Sequence, residues 1–410
     1  MPAAKPSNNT ISSGHPSVLI IAPGPFFVDR GFGVAVYEQS RALIRRGIQV
    51  EVVCYSSGRD LPDVRIHRAA RFPGYGASKI GPSLARLPLW VLLLIKTILV
   101  ARRTRPALLH GHLHEGGLIA GIVSRLLGIP WVLDLQGSLS LEMAEKGSLQ
   151  ASSLPFKAIS FLERRINRLA PLILVKSRMM ECDLTDRFGI DASRIYRVMD
   201  GADPSTFSPR LPDPELRHRL GIDDDATVIG YIGLLTGQQG IDRLLRAAAI
   251  VLRTHPQCHF LIMGYPDEEP RMLANELCIM PRVTFTGRLD YALAPDHLAL
   301  VDLAVAPKLS ETEGNAKLYN YMSMALPVVS IDNEGNREVL GADGYYVQNE
   351  SPLAFAEAIL KALRARDEWD ARGRRLRSRI EDHLSWDAVA AKLADAYREV
   401  APESFAIKST

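Results

Sequence analysis

From Ser17 onward, apolar runs of about five to seven residues alternate with longer amphipathic segments. The runs lie at residues 18–22, 50–54, 226–233, 258–264, 283–287, 303–307 and 327–331. Short apolar runs that end in glycine or a polar turn are typical of buried strands, and the longer segments between them are typical of helices. This order of elements predicts an α/β fold built from βαβ units, with a parallel sheet in each half of the chain.

The length and the proline distribution divide the chain. Its 410 residues, 47% of them apolar, are enough for two hydrophobic cores. Prolines between Pro204 and Pro214 interrupt the regular pattern. We therefore expect a first Rossmann-like domain at residues 17–205, a second at 206–385, a last helix at 386–400, and tails at 1–16 and 401–410. A cleft between the two domains is the natural place for a site.

Composition narrows the classes of protein to be considered. Lys and Arg total 49 against 46 for Asp and Glu, so the overall charge gives no indication of nucleic-acid binding. The four cysteines are scattered and do not form a disulfide framework, which favours a reducing compartment. The first sixteen residues have no apolar signal-peptide core and are expected to form a disordered tail. The expected location is the cytoplasm.

Gly31 and Gly33 precede a helix predicted over residues 34–46. Glycines before a helix let a bound phosphate approach the free backbone N–H groups. No third glycine completes a dinucleotide-binding fingerprint, so a plain turn is the alternative.

A polar loop followed by a helix and a buried strand, residues 310–329, carries the most specific pattern in the chain. Together with residues 22–33, 200–209, 230–235 and 385–386, it is similar, in order, to the motifs of glycosyltransferase family 4. The resemblance extends from about Ser17 to Val400. It implies the GT-B fold, in which two Rossmann-like domains face a cleft and the last helix, here Trp386 to Val400, crosses back to the first domain.

The resemblance also implies an activity. Such enzymes bind a nucleotide-sugar donor mainly to the second domain and the acceptor to the first, and they retain the anomeric configuration without a metal ion or other cofactor. The expected function is transfer of a hexose-type sugar to a glycan, a lipid carrier or a small-molecule acceptor. Retention would involve departure of the leaving group on the front face, with the donor phosphate helping to deprotonate the acceptor.

Several positions depart from the family pattern. The Arg and Lys that clamp the donor phosphates in relatives correspond to Leu234 and Gln239, and the histidine over the sugar corresponds to Gln136. Of the two usual Glu residues, the later corresponds to Asn320 and the earlier is best matched by Glu313. In a rebuilt site, Lys308 and Lys317 restore positive charge, Glu311 and Glu313 supply carboxylates, and Asn320 binds ribose. The alternatives are a non-catalytic partner of an active transferase and a nucleotide-sugar epimerase-like enzyme.

Three groups of site residues follow from this comparison. The predicted catalytic residues are Gln136, Glu313 and Lys317. The predicted donor-binding residues are Gly31, Gly33, Gly233, Gln239, Lys308, Ser310, Glu311, Thr312, Leu318 and Asn320. The predicted acceptor-side residues are His114, Glu115 and Asp134.

Three histidines, His110, His112 and His114, would share one face of an extended segment. Three imidazoles on a face are able to bind zinc. The segment also looks like a central strand leading into a helix, and relatives have a similar His-x-His there without a metal. We expect an acceptor-facing or structural role and no metal.

Residues 84–103 form the most apolar window of the chain. Their uninterrupted core, residues 89–95, is too short to span a bilayer, which takes about 20 residues. Basic residues surround the core, namely Arg86, Lys96, Arg102, Arg103 and Arg105. The segment is either a helix buried against the first sheet or a surface that rests peripherally on the inner face of an anionic membrane. The second case would suit a lipid-linked acceptor.

Overall fold

The computed structural model describes residues 16–28, 31–61, 63–72, 87–145, 147, 150, 153–309 and 314–406. Two parallel sheets dominate it, which confirms the predicted α/β class with two Rossmann-like domains. Each sheet has helices on both faces, as expected for strands that are apolar over their whole length.

The first sheet has the strand order β3-β2-β1-β4-β5-β6-β7, and all its pairings are parallel. Its strands are β1 Ser17–Ala22, β2 Gln49–Cys54, β3 Arg65–Arg68, β4 Leu108–His112, β5 Trp131–Asp134, β6 Ile173–Val175 and β7 Ile195–Arg197. Its helices are α1 Gly31–Arg45, α2 Leu87–Thr104, α3 Leu113–Leu127, α4 Leu139–Glu145, α5 Leu154–Leu169 and α6 Arg178–Cys182.

The second sheet has the order β10-β9-β8-β11-β12-β13 and is also parallel throughout. Its strands are β8 Thr227–Ile232, β9 Cys258–Met263, β10 Val283–Phe285, β11 Leu303–Ala306, β12 Val328–Ile331 and β13 Tyr345–Val347. The helices of this half and the tail are α7 Pro214–Arg219, α8 Ile241–Thr254, α9 Glu268–Glu276, α10 Ala294–Leu298, α11 Lys317–Ser323, α12 Glu334–Leu340, α13 Pro352–Arg364, α14 Trp369–Arg379, α15 Trp386–Val400 and α16 Pro402–Phe405. Single π-helical turns continue α6 at Asp183–Arg187 and α14 at Ile380–Leu384.

Alternation along β1 shows why helices cover both faces of the first sheet. Val18 and Ile20 share a buried cluster with α1, whereas Leu19 and Ile21 share another with α2 and α3. Successive side chains of a strand point to opposite faces, so a strand that is apolar at every position buries both.

The last helix, α15, packs on α1 and on the first sheet. Trp386, Leu393 and Tyr397 belong to the same buried cluster as Val18 and Ile20. Ser385 caps the helix by accepting a hydrogen bond from the Ala388 N–H. The expected crossing of the last helix back to the first domain is therefore confirmed.

Two crossovers between the domains lie side by side. The Ala202 N–H donates to Leu384 O at 3.1 Å, and the Trp386 N–H donates to Ala202 O at 3.0 Å. Gly201 is required at this contact, because a Cβ there would lie 2.6 Å from Leu384 O. The chain thus leaves and re-enters the first domain through one hydrogen-bonded pair of segments.

The apolar window predicted as either buried or membrane-facing is helix α2, which is buried on one side and exposed on the other. Leu89, Leu93 and Val100 are buried against the first sheet, while Val91 and Leu99 on the opposite side are 55% and 60% exposed. Among the described residues, none of the helices combines the length and the apolar character needed to cross a bilayer.

Candidate active site

Polar side chains gather where three neighbouring strands of the first sheet end. His110 and His112 lie on β4, Asp134 ends β5, and Lys176 follows β6 directly. The Lys176 ammonium lies 3.0 Å from Asp134 Oδ2, and His110 Nε2 lies 3.2 Å from the same oxygen. The carboxyl ends of parallel strands meet at one edge of a sheet, and this edge is where ligands bind in such folds.

Charge pairing decides the ionisation state of this cluster. Burial opposes ionisation of Asp134, but the Lys176 ammonium and the hydrogen bond with His110 outweigh it, so the pKa of Asp134 lies well below its usual value. Burial likewise opposes the charge of Lys176, but Asp134 and Asp200 raise the pKa of this lysine above its usual value. Asp134 and Lys176 therefore form a buried, charged pair.

His112 is the unpartnered member of the cluster. Its ring stacks on that of His110 at 4.3 Å and meets the edge of Phe32 at 5.7 Å. Within the described part of the chain, neither ring nitrogen has a hydrogen-bond partner. Burial and the neighbouring His110 lower the pKa of His112 well below its usual value, so this imidazole is neutral at pH 7.

His110, His112 and Asp134 offer ligand atoms within 4.8 Å of one another, a set that is able to bind a metal ion. Two of these groups already have partners. The Tyr397 hydroxyl lies 2.8 Å from His110 Nδ1, and Lys176 supplies at Asp134 the positive charge that a metal ion would bring.

The expectation that His114 shares a face with His110 and His112 is wrong. The strand ends at His112, and Leu113, with a φ of +58°, begins helix α3. His114 is therefore turned away from Asp134 and lies 3.4 Å from the Glu163 carboxylate. Glu163 in turn accepts hydrogen bonds from the N–H groups of Leu139 and Ser140 at the start of α4. Predicted as an acceptor-side residue, His114 is placed in a buried network that holds α4.

Gln136 lies just beyond β5 and is half-buried. Its amide nitrogen donates to Asp134 Oδ1 at 3.2 Å. The amide oxygen has no partner among the described residues and remains available as a hydrogen-bond acceptor. Asp134, which the sequence placed on the acceptor side, is thus in direct hydrogen-bond contact with Gln136. Glu115 is half-buried in the first turn of α3.

The glycine-rich segment differs from the prediction. Helix α1 begins at Gly31, not at residue 34, so both glycines lie in its first turn. A Cβ at Gly33 would lie 2.7 Å from Val28 O, whereas nothing lies within 4 Å of a Cβ at Gly31. Close packing against Val28 therefore explains why residue 33 is a glycine. Of the two glycines, only Gly31 has open space beside its backbone.

In the second domain, predicted donor-site residues gather around Lys317. Its ammonium lies 2.9 Å from Gln239 Oε1, 3.2 Å from Asn315 Oδ1 and 5.2 Å from the centroid of the Tyr231 ring. Gly233 has a φ of +147°, and a Cβ there would come within 3.2 Å of Lys317 Cε. The structure therefore brings together Gly233, Gln239 and Lys317, all predicted at the donor site.

Three other predicted donor residues, Lys308, Leu318 and Asn320, lie in the same half of the chain as Lys317. Lys308 is buried and donates to Gly314 O at 3.0 Å. Asn320 lies one helical turn after Lys317 on α11 and is half-buried. Leu318 is fully buried in the core, and its N–H donates to Asn315 O. The predicted residues Ser310, Glu311, Thr312 and Glu313 lie outside the described residues.

Asp200 lies between the polar cluster of the first domain and the residues around Lys317. Its carboxylate is 3.8 Å from the Lys176 ammonium and would be 3.9 Å from a Cβ on Gly314. Burial raises the pKa of Asp200 above its usual value, although Lys176 and Lys308 favour its ionised form. Charges from both domains thus act on one carboxylate at the crossover.

Sequence reasoning did not assign Lys176, Asp200 or Tyr397 to the site. A signal existed for Lys176, because a lysine directly after the apolar run 172–175 ends a buried strand. Asp200 stands in the crossover motif, at residues 200–209, but its charge partners come from three separate elements. Nothing in the sequence connects Tyr397 with His110, which lies 287 positions earlier.

Two family profiles match the chain. The "Glycosyl transferase 4-like domain" matches residues 30–201, and "Glycosyl transferases group 1" matches residues 226–365. The first match covers strands β2 to β7 of the first sheet, and the second covers all six strands of the second sheet.

Curated relatives are named transferases. The chain is 28% identical to a D-inositol 3-phosphate glycosyltransferase of Geodermatophilus obscurus over 91% of this chain and 85% of the relative. It is 27% identical to the alpha-D-kanosaminyltransferase of Streptomyces kanamyceticus over 76% and 81% of the two chains. These names do not favour a non-catalytic partner or an epimerase-like enzyme.

Solved structures share the fold. Sucrose-phosphate synthase from Thermosynechococcus elongatus superposes with a TM-score of 0.78 at 19% identity, over 94% of this chain and 99% of the other. HepE from Anabaena in complex with UDP-glucose superposes with a TM-score of 0.76 at 16% identity, over 94% and 100%. By both domain matches and by its architecture, this chain belongs to the GT-B glycosyltransferases, with a glycosyl transferase 4-like first domain and a group 1 second domain.

Proposed function

We propose that this protein is a retaining hexosyltransferase that uses a nucleoside-diphosphate sugar and binds the donor diphosphate at Lys317. The observation that carries the proposal is the contact between Lys317 and Gln239 beside Gly233. By the resemblance to family 4, Gln239 corresponds to the lysine expected to bind the donor phosphates. The Lys317 ammonium lies 2.9 Å from this side chain, so it supplies positive charge close to the place where charge was lost.

The chemistry of sugar transfer explains why a lysine is needed there. Departure of a nucleoside diphosphate builds negative charge on its phosphate oxygens, and a cation held in place beforehand stabilises that charge. Lys317 is held by Gln239 and Asn315, and Lys308 by Gly314 O. Gly233 leaves the space beside Lys317 open, since any side chain there would come against the lysine.

The first domain offers a hydrogen-bond acceptor, Gln136, at the position where the resemblance to family 4 implies a histidine. Because the Gln136 amide nitrogen is tied to Asp134, its oxygen is the group offered to a sugar or acceptor hydroxyl. Lys176 and His110 fix Asp134 and therefore the orientation of Gln136. Asn320 would bind ribose, and a glycan, lipid carrier or small molecule would be the acceptor, bound on the side of Glu115.

The cysteines fit a cytoplasmic enzyme. Cys54, Cys182, Cys258 and Cys278 are all free thiols. A reducing compartment keeps such thiols unpaired, and nucleotide sugars are consistent with the same compartment.

Donor binding tests the proposal directly. The purified protein is heated with UDP-, GDP-, ADP- or dTDP-glucose, because a ligand that binds only the native state raises the melting temperature in proportion to RT ln(1 + [L]/Kd). We expect a shift with one donor, the loss of that shift in Lys317→Ala, and its retention in the exposed-surface control Lys361→Ala. A shift that survives Lys317→Ala unchanged would refute the role of Lys317.

Turnover and stereochemistry complete the test. Release of the nucleoside diphosphate from the bound donor, followed with a panel of acceptors, measures transfer. The anomeric proton coupling of the product, measured by NMR, reports retention or inversion. An inverted product would contradict the retaining mechanism even if the donor assignment holds.

A further inference from the structure

One face of the first domain carries an unusual concentration of exposed apolar side chains. Of the 16 large hydrophobic side chains that are exposed in the described part of the chain, ten lie on helices α2, α3 and α5. They are Leu87, Val91, Ile95, Leu99, Ile122, Leu126, Leu154, Phe161, Leu162 and Leu169. Helix α3 contacts both α2 and α5, so these side chains belong to one continuous face, which we call the α2–α3–α5 face. Contiguous exposed apolar surface of this kind marks an interaction site.

On α2 the exposed apolar residues form a stripe. Leu87, Val91, Ile95 and Leu99 follow one another at four-residue spacing, and Arg102 continues the stripe at the end of the helix. Residues four apart lie on the same side of a helix. The opposite side of α2, with Leu89, Leu93 and Val100, is already buried against the sheet, so the stripe is a second apolar surface that the fold of the domain does not use.

The exposed charges on the same three helices are all positive. The exposed basic residues are Arg102, Arg103, Arg125, Lys157, Arg164, Arg165 and Arg168. The three helices contain two acidic residues, of which Glu163 is buried and Glu115 is half-buried. None of the seven basic residues forms an ion pair within the part of the chain that the structure describes.

The other face of the first sheet differs. It is covered by α1 and α15, and α15 carries Asp387 and Asp395 beside its basic residues. Asp387 pairs with Arg45 of α1 at 2.9 Å. Of the two faces of the first sheet, the α2–α3–α5 face is therefore the more apolar and the more positive among the described residues.

We propose that the α2–α3–α5 face docks on the surface of an anionic lipid bilayer. Apolar side chains that enter the headgroup region beside unpaired basic residues are the combination that peripheral membrane surfaces use. A second copy of this chain fits less well, because a symmetric contact would bring the two positive faces together.

The α2–α3–α5 face extends to the edge of the sheet at which the polar cluster lies. Helices α2, α3 and α5 begin at the carboxyl edge of the sheet, where the polar cluster lies, and run back toward its amino edge. Leu87 and Leu154, the first residues of α2 and α5, are exposed at that edge. A bilayer on this face would therefore reach the rim of the site. This geometry suits a lipid-linked acceptor, a consequence that rests on the proposed function, whereas membrane docking itself does not.

Vesicle sedimentation tests the docking without any donor or acceptor. The full chain is mixed with vesicles of phosphatidylcholine alone or with about one third phosphatidylglycerol, at low and high salt. We expect binding to the anionic vesicles that weakens with salt. Arg102→Gln/Arg103→Gln/Arg125→Gln should weaken this binding on the order of 100-fold, since each basic residue near the surface changes affinity about fivefold. Val91→Ser/Ile95→Ser/Leu99→Ser should abolish it at both salt concentrations.

Matched controls use exposed residues of the second half of the chain. Arg246→Gln/Arg253→Gln/Arg374→Gln changes the net charge equally, and Leu211→Ser/Leu353→Ser removes exposed leucines. Both should bind like the wild type. Failure of the wild type to bind anionic vesicles, or equal losses in the control variants, would overturn the proposal. So would a dimer in sedimentation equilibrium that the α2 variant dissociates, because the face would then be a contact between copies.

Discussion

Removing the buried ammonium of Lys176 provides a sensitive test of the polar cluster. In Lys176→Met the side chain keeps most of its length and apolar stem, so the change removes charge with little loss of packing. Asp134 then remains in the interior, fully buried, without its cation. His110 and Gln136 continue to donate hydrogen bonds to it.

The size of the effect follows from the distance between the charges. At 3.0 Å and an effective dielectric constant of about 20, the attraction is about 5.5 kcal/mol. Measured losses on removing one partner of a buried pair are about 3–5 kcal/mol. Because two hydrogen bonds to Asp134 remain, we expect a loss near the lower limit, about 3 kcal/mol of unfolding free energy.

Urea titration followed by circular dichroism measures this loss, with Lys361→Met as an exposed control. Adding Asp134→Asn to Lys176→Met should recover much of the stability, because the neutral amide leaves no buried charge. A loss below about 1 kcal/mol, comparable with that of the control, would show that the pair does not contribute as argued.

The pH dependence gives an independent check. In the wild type the pKa of Asp134 is depressed, so its contribution is present above its unfolded pKa of about 4 and is lost only as the pH falls through the depressed folded value. Without Lys176, burial of Asp134 is opposed mainly by its hydrogen bonds, so we expect the pKa of Asp134 to rise in the variant. The deficit of Lys176→Met should therefore shrink as the pH is lowered from 7 to 5.

Three further predictions concern other parts of the molecule. Lys317→Ala should weaken donor binding about 10- to 100-fold, since hydrogen bonds to charged groups contribute about 1.5–3 kcal/mol, and titration calorimetry with Lys361→Ala as control measures it. Burial raises the pKa of Glu38 to about 7, with Arg41 opposing the shift. The folded protein thus holds this proton more tightly than the unfolded chain, and stability should fall by about 3 kcal/mol as the pH rises from about 4.5 to 7, a slope that Glu38→Gln removes in melts at pH 5 and 8. Tyr397→Phe should cost about 1 kcal/mol in chemical denaturation, because it removes the hydroxyl that lies 2.8 Å from His110, and an unchanged midpoint would contradict that contact.

The central strands could be predicted from the sequence because they are long and apolar. The runs at residues 226–233 and 258–264 became β8 and β9, which pair over six residues in the middle of the second sheet. The edge strands β3 and β13 have only four and three residues and include polar or aromatic positions, so local patterning does not distinguish them from turns. Their strand conformation depends on pairing with β2 and β12.

The site could be predicted only in part. The resemblance to family 4 identified Lys317 and Gln239 as donor residues, but their contact joins residues 78 positions apart and depends on how α11 lies against the start of α8. Periodicity suggested one face for three histidines, whereas the strand ends at His112, two residues before His114, and the left-handed Leu113 begins helix α3. The partnership of Asp134 with Lys176 depends on the neighbouring positions of β5 and β6 in the sheet, which spacing along the chain does not determine.

Helix α15 also has a consequence for the order in which the protein is made. The first domain is synthesised first, yet its core includes Trp386, Leu393 and Tyr397 from near the end of the chain. The second domain, by contrast, is continuous in sequence and is complete while α15 is still within or close to the ribosome. During translation, α1 must therefore keep an uncovered apolar surface until the whole second domain has emerged. The half that begins folding first is finished last, and the polar cluster gains its contact with Tyr397 only when synthesis is nearly complete.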